Sequence, residues 1–153
     1  MIKIQREDFD LGQQLARMRE SRTDIGGLAS FVGLMRDLND GDSVTRMRLE
    51  HYPGMTEQAI EEIVSDAHQR WPLIDVTVIH RVGELAPGDQ IVLVAVASAH
   101  RAAAFEACEY IMDFLKTRAP IWKKEHAVDG SSRWVDSRGT DAAAVRRWDR
   151  KTS

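Results

Sequence analysis

The sequence predicts one domain of mixed strands and helices, and three observations carry that reading. Residues 91–97 form an unbroken Ile-Val-Leu-Val-Ala-Val-Ala run, which suits a central strand covered on both faces. Residues 45–50 and 74–82 alternate in side-chain character, as strands do. Three other segments repeat apolar residues at helical spacing: Leu11, Leu15 and Met18; Ile60, Ile63, Val64, Ala67 and Trp71; and Phe105, Cys108, Met112 and Leu115.

The elements follow in order. Ile2 and Ile4 alternate with Lys3 and Gln5 in a short strand, and Asp10 is placed to cap the first helix, with Arg17, Arg19 and Arg22 on its wet face. Gly26-Gly27 breaks the pattern, and a mostly buried strand over 28–34 exits at Gly33-Leu34-Met35-Arg36. After a turn-rich loop over 37–42, the next strand puts Thr45, Met47 and Leu49 on one face and Arg46, Arg48 and Glu50 on the other. Pro53-Gly54 turns the chain into a helix that Thr56 is expected to cap, with Met55 stapled onto Ile60, and Trp71-Pro72 ends it. His80 falls among Ile74, Val76, Val78 and Val82, and reads as a satisfied interior or edge histidine rather than a catalyst.

Ser98 is expected to cap the long helix, which Pro120 stops. Residues 121–126 and 133–135 then read as a small hairpin around Asp129-Gly130. We assign residues 1–136 to a single domain. Residues 137–153 are a basic tail, partly helical or frayed, with Arg146, Arg147, Arg150 and Lys151 beside Ala142, Val145 and Trp148.

A chain of 153 residues can bury a core without disulfides or metals, and 43% apolar with 29% charged residues describes a folded domain. The net charge of −3 argues against a surface built throughout for nucleic acid, so any anion site must be local. The longest apolar run is far too short to span a bilayer, and a cytoplasmic protein is expected. Cys108 stands alone, with a place on a core stripe, so it reads as a small hydrophobe. His51, His68, His80, His100 and His126 show no metal-binding spacing, and no phosphate-loop, dinucleotide or hydrolase motif occurs. No metal or cofactor is expected.

The chemistry concentrates on the long helix. His100 and Arg101 place cations at a positive helix N-terminus, which suits a phosphate cradle of amides, imidazole and guanidinium. The alternative is that both side chains point to solvent or pair with carboxylates. At the other end Lys116 precedes Pro120, and Lys123-Lys124 follow it. A rise of about 1.5 Å per residue separates Lys116 from His100 by roughly 24 Å, too far for one small ligand. The chain therefore has two separate sites, or one site shared across a dimer.

Leu-Glu-His-Tyr-Pro-Gly-Met (49–55), Arg-Trp-Pro-Leu (70–73), Val-Ile-His-Arg-Val-Gly-Glu-Leu (78–85), Ala-His-Arg (99–101) and Leu-Lys-Thr-Arg-Ala-Pro-Ile-Trp-Lys-Lys-Glu (115–125) resemble the large, catalytic subunit family of molybdopterin synthase. The resemblance runs from about Asp24 to Val135. It implies an α+β fold of the α/β-hammerhead type, with a mixed or antiparallel sheet, helices and a small β-hairpin subdomain. It also implies a homodimer that binds two small ubiquitin-like sulfur-carrier subunits, making a heterotetramer. Each carrier would present a C-terminal Gly-Gly thiocarboxylate to cyclic pyranopterin monophosphate, and two sulfurs would form the dithiolene of molybdopterin.

Carried over by motif, His100 and Arg101 would bind substrate with Arg36 joining them, and Lys116, Lys123, Lys124 and Glu125 would line the reaction centre. Lys116 is assigned to proton transfer and Lys123 to electrostatic clamping. The family pattern Gly-Lys-Val-Arg stands here as Gly33-Leu34-Met35-Arg36, which keeps the arginine and leaves Leu34 and Met35 as further candidates for substrate contact. Two rivals are a non-catalytic module binding a phosphorylated ligand or RNA through the same cations, with Trp122 and Trp134 nearby, and a family member that only docks the carrier.

Overall fold

The computed structural model describes residues 1–39, 42–135 and 139–149. Its elements are β1 (Ile2–Gln5), α1 (Leu11–Arg19), β2 (Gly27–Leu34), β3 (Leu38–Asn39), β4 (Asp42–His51), α2 (Met55–Arg70), β5 (Leu73–Arg81), β6 (Gly83–Leu85), β7 (Gln90–Ser98), α3 (Arg101–Arg118), β8 (Ile121–Ala127), β9 (Ser132–Val135) and α4 (Gly139–Arg146). The fold is α+β. One sheet has the order β1-β5-β7-β2, with only β1 and β5 parallel among its pairs. The other runs β3-β4-β8-β9 and is antiparallel, with β6 added on β4.

β7 is covered on both faces, as its unbroken apolar run requires. Val92, Val94 and Val96 face α2 and α3, in a core with Ile60, Ile63, Ala107 and Ile111. Leu93, Ala95 and Ala97 face the other way, against Phe9 and Met18 beside α1. β5 is likewise buried on both sides: Val76 and Val78 join the first core and Ile79 the second. Arg17, expected on a solvated face, reaches across to donate to the buried Thr77 hydroxyl at 2.8 Å. A third core of Met35, Val44, Met47, Leu49, Val82 and Leu85 lies under the second sheet.

Two helix starts differ from the sequence reading. Asp10 does cap α1, its carboxylate accepting from the Gln13 N–H at 2.8 Å. In α2 the cap position is Gly54, whose φ of +87° suits glycine, and its N–H donates to the Glu57 carboxylate at 2.8 Å. Thr56 is instead fully buried, and Met55 is 57% exposed rather than stapled onto Ile60. In α3 the cap position is His100, not Ser98. The Ser98 hydroxyl is buried and donates to the Pro72 carbonyl at 2.8 Å.

The face that α3 buries is also rotated from the expected stripe. Ala103, Ala104, Ala107, Tyr110 and Ile111 join Cys108 and Leu115 inside, while Phe105 is 66% exposed. Small alanines let the helix approach the sheet closely, so side-chain size decides the buried face here. Residues 139–146 form α4, and Trp148 beyond it is 1% exposed within the first core. Arg150 and Lys151 lie outside the described residues.

Candidate active site

α3 follows β7 after Ala99 and His100 and runs back over the sheet, so Leu115 near its end packs in the same core as Ile91 and Val92 near the start of β7. The turn after α3 is fastened to the start of α2. Thr56 Oγ1 donates to the Pro120 carbonyl at 2.8 Å and accepts from the Tyr52 N–H at 2.9 Å. This lock fixes where β8 begins. Lys116 stands exposed on the last turn of α3, where the helix dipole favours a cation. Lys123, half-buried, lies two residues into β8 from Ile121.

The two adjacent lysines lie on opposite faces of β8. Lys123 is opposite Leu49 and Glu125 opposite Met47, both buried, so Lys123 and Glu125 share the core side of β8. Lys124 takes the other side, its ammonium 5.6 Å from the Trp134 ring centroid. The strand pleat thus divides the Lys123-Lys124-Glu125 segment. Glu125 is 5% exposed, with an Arg133 guanidinium nitrogen 3.9 Å from its carboxylate. It is an interior carboxylate under the hairpin.

Within the chain Arg36 lies at the lysine end, away from His100. β2 is antiparallel to β7, with Gly27 opposite Ser98 and Leu34 opposite Gln90, so its exit lies about 23 Å from its start. His100 and Arg101 stand beside that start: a Cβ on Gly26 would come within 1.9 Å of the Ala99 carbonyl oxygen. Met35 is not available to a ligand through its side chain, which is 5% exposed in the third core. Its backbone is pinned by bonds to Asp89 O at 2.9 Å and from Gly88 N at 2.8 Å. Leu34 and Arg36 are exposed on either side of it. His100 and Arg101 are both exposed, and neither makes an ion pair among the described residues. Of the alternative for them, the carboxylate pairing is absent among the described residues, and the solvent-facing placement is what the structure shows.

His80, read from the sequence as a satisfied interior or edge histidine, lies near Lys116. His80 Nδ1–H donates to the Arg81 carbonyl at 2.8 Å, which leaves Nε2 as the lone-pair nitrogen of the neutral ring. Burial pushes its pKa down to about 4, and the charges of Lys116 and His51 act in the same direction against the Arg81 hydrogen bond. His51 Nε2 is 3.7 Å from Glu57 Oε1, a buried oxygen without a hydrogen-bond partner. The sequence signal was a histidine at an apolar strand position, which on its own does not separate packing from chemistry.

Cys108 is no nucleophile. Burial pushes its thiol up to about 11, with Glu109 adding to the effect, and Sγ contacts the Val94 carbonyl at 3.7 Å.

A family model described as MoaE protein matches residues 4–118. The chain belongs to the MoaE family. Among MoaE relatives, the molybdopterin synthase catalytic subunit of Ralstonia nicotianae is 60% identical over 147 residues, covering 96% of this chain and 83% of that protein. The solved molybdopterin biosynthesis MoaE protein from Burkholderia ambifaria superposes with a TM-score of 0.84 at 55% identity, covering 97% of each chain. Molybdopterin synthase from Staphylococcus aureus gives a TM-score of 0.78 at 32% identity, covering 86% of this chain and 94% of that one. The MoaE assignment agrees with the resemblance carried by the sequence motifs.

Proposed function

We propose that this MoaE chain is the catalytic subunit of a molybdopterin synthase. It transfers sulfur from the C-terminal thiocarboxylate of a small ubiquitin-like carrier to cyclic pyranopterin monophosphate, building the dithiolene of molybdopterin. The observation that supports this most is the Pro120 junction, fastened to Thr56, where the end of α3 that carries Lys116 is followed directly by the start of β8 that carries Lys123. Both reactants are anions, and a cationic pocket is what their approach requires. Lys116, exposed at the helix end, moves protons. Lys123, half-buried, stabilises negative charge as C–S bonds form.

The substrate phosphate takes the exposed His100 and Arg101 at the N-terminus of α3, roughly 24 Å from Lys116 along the helix. One small substrate cannot span that distance within a chain. The complete site therefore combines Lys116, Lys123 and Arg36 of one protomer with the His100-Arg101 cradle of a second. A homodimer holds two such sites and accepts two carriers, as a heterotetramer. No described helix is long and apolar enough to cross a membrane, and we place the reaction in the cytoplasm.

The test is to supply the purified chain with thiocarboxylated carrier and cyclic pyranopterin monophosphate and measure molybdopterin. Product proportional to carrier consumed, at two carriers per molybdopterin, is expected. Carrier binding without product would leave only a docking function.

A further inference from the structure

The half-buried His80 has no role in the chemistry set out so far, yet it stands where the two halves of the lysine end meet. On β5 it follows Val76 and Val78 on the face turned to α2 and α3, and its register partners are Ile4 on β1 and Val92 on β7. Ile4 packs against both the first core, which holds Leu115, and the third core, which Ile121 joins. Leu115 immediately precedes Lys116, and Ile121 is two residues before Lys123. His80 is thus placed between the helix end that carries one lysine and the strand that carries the other.

The ring is also prepared as an acceptor. Nδ1 is committed to the Arg81 carbonyl, and Nε2 has no hydrogen-bond partner among the described residues. The neighbouring groups make a charged imidazole costly: Lys116 comes from α3 and His51 from β4, while the register partners on β1 and β7 are Ile4 and Val92. The Glu57 carboxylate on α2 lies 3.7 Å from His51 Nε2. A neutral acceptor beside an ammonium group can hold that group in place without neutralising it.

We propose that His80 is a positioning residue for the proposed sulfur transfer, a neutral imidazole whose Nε2 accepts from the Lys116 ammonium and sets it over the reacting atoms. This rests on the synthase reading. In the bound complex, a Lys116 N–H donates to His80 Nε2, and a second Lys116 proton remains for the substrate. No proton passes to the ring.

Two substitutions separate positioning from packing. His80→Leu keeps the bulk and removes the acceptor, and His80→Gln restores an acceptor that cannot titrate. With thiocarboxylated carrier and cyclic pyranopterin monophosphate, kcat of His80→Leu is expected to fall by at least about tenfold, with KM for both reactants held. His80→Gln is expected to recover most of that loss. Wild-type kcat in His80→Leu, or a folded His80→Gln no better than His80→Leu, overturns the proposal. If neither variant folds, nitrogen NMR of the wild-type ring decides. A neutral ring protonated on Nδ1 at pH 6 is expected, with the Nε2 signal shifting when carrier and substrate bind, and a cationic ring, an Nε2–H tautomer or an unmoved signal overturns it. A wild-type chain that makes no molybdopterin refutes the synthase reading instead, which keeps the two failures distinct.

Discussion

Lys116→Ala is expected to lower sulfur transfer by about 10²- to 10⁴-fold, the range in which a positioned proton-transfer group contributes. Affinity for the thiocarboxylated carrier should stay near that of the unmodified chain. The structure makes this a clean experiment, because Lys116 is exposed on the last turn of α3 and forms no ion pair among the described residues. Its removal should cost little stability, within about 0.5 kcal/mol for a surface change of this kind. Single-turnover kinetics together with carrier titration check both halves. A variant with normal turnover removes Lys116 from the chemistry.

Trp148→Ala is expected to produce the largest loss of stability, about 3–5 kcal/mol for a buried tryptophan. Trp148 is 1% exposed and stands edge-on to Trp71 and Tyr110 at 5.6 and 5.3 Å between ring centroids. Its indole N–H donates to Asp113 at 2.7 Å, and Arg70 donates to its carbonyl at 2.6 Å. Arg147 reinforces the same attachment through Glu109 and Asp113. For a chain of this size the loss corresponds to a fall of roughly 10 °C in Tm, read by thermal unfolding. An unchanged Tm would mean that the C-terminal segment docks without stabilising the domain.

The elements were legible where periodicity reports a one-to-one relation between residue and environment. The run at 91–97 became β7, buried on both faces, and Pro120 separated α3 from β8. Caps were less legible, since Ser98 and Thr56 are good capping residues by type but are used at a distance, on the carbonyls of Pro72 and Pro120. Phe105 shows the same limit: its spacing suited a core stripe, but alanines at 103, 104 and 107 bring the helix close to the sheet and turn Phe105 outward.

The proposed site was legible as a set of cations and not as a geometry. Lys116, Lys123, Arg36, His100 and Arg101 carry charge where motifs placed it, but pairing register decides which of them are neighbours. Register puts Arg36 with the lysines, sends Lys124 to the opposite face of β8 and closes Glu125 and Met35 into the interior. None of those assignments follows from the local sequence, because each depends on a strand that is distant along the chain. His80 was read as an interior or edge histidine, as its bond to Arg81 and its burial show; its place beside Ile4, 76 positions away, also comes from register.

The central claim is that each site draws its lysines from one protomer and its phosphate cradle from another. Mixing Arg101→Ala and Lys116→Ala chains after dissociation and reassociation tests it most directly, because each variant alone is expected to be impaired at subsaturating substrate. A mixed dimer contains one site with both residues intact. With random pairing, the mixture should recover about a quarter of wild-type molybdopterin synthesis. A mixture that forms mixed dimers and stays as inactive as its parents would show that Arg101 and Lys116 serve the reaction from the same chain, contradicting the shared site.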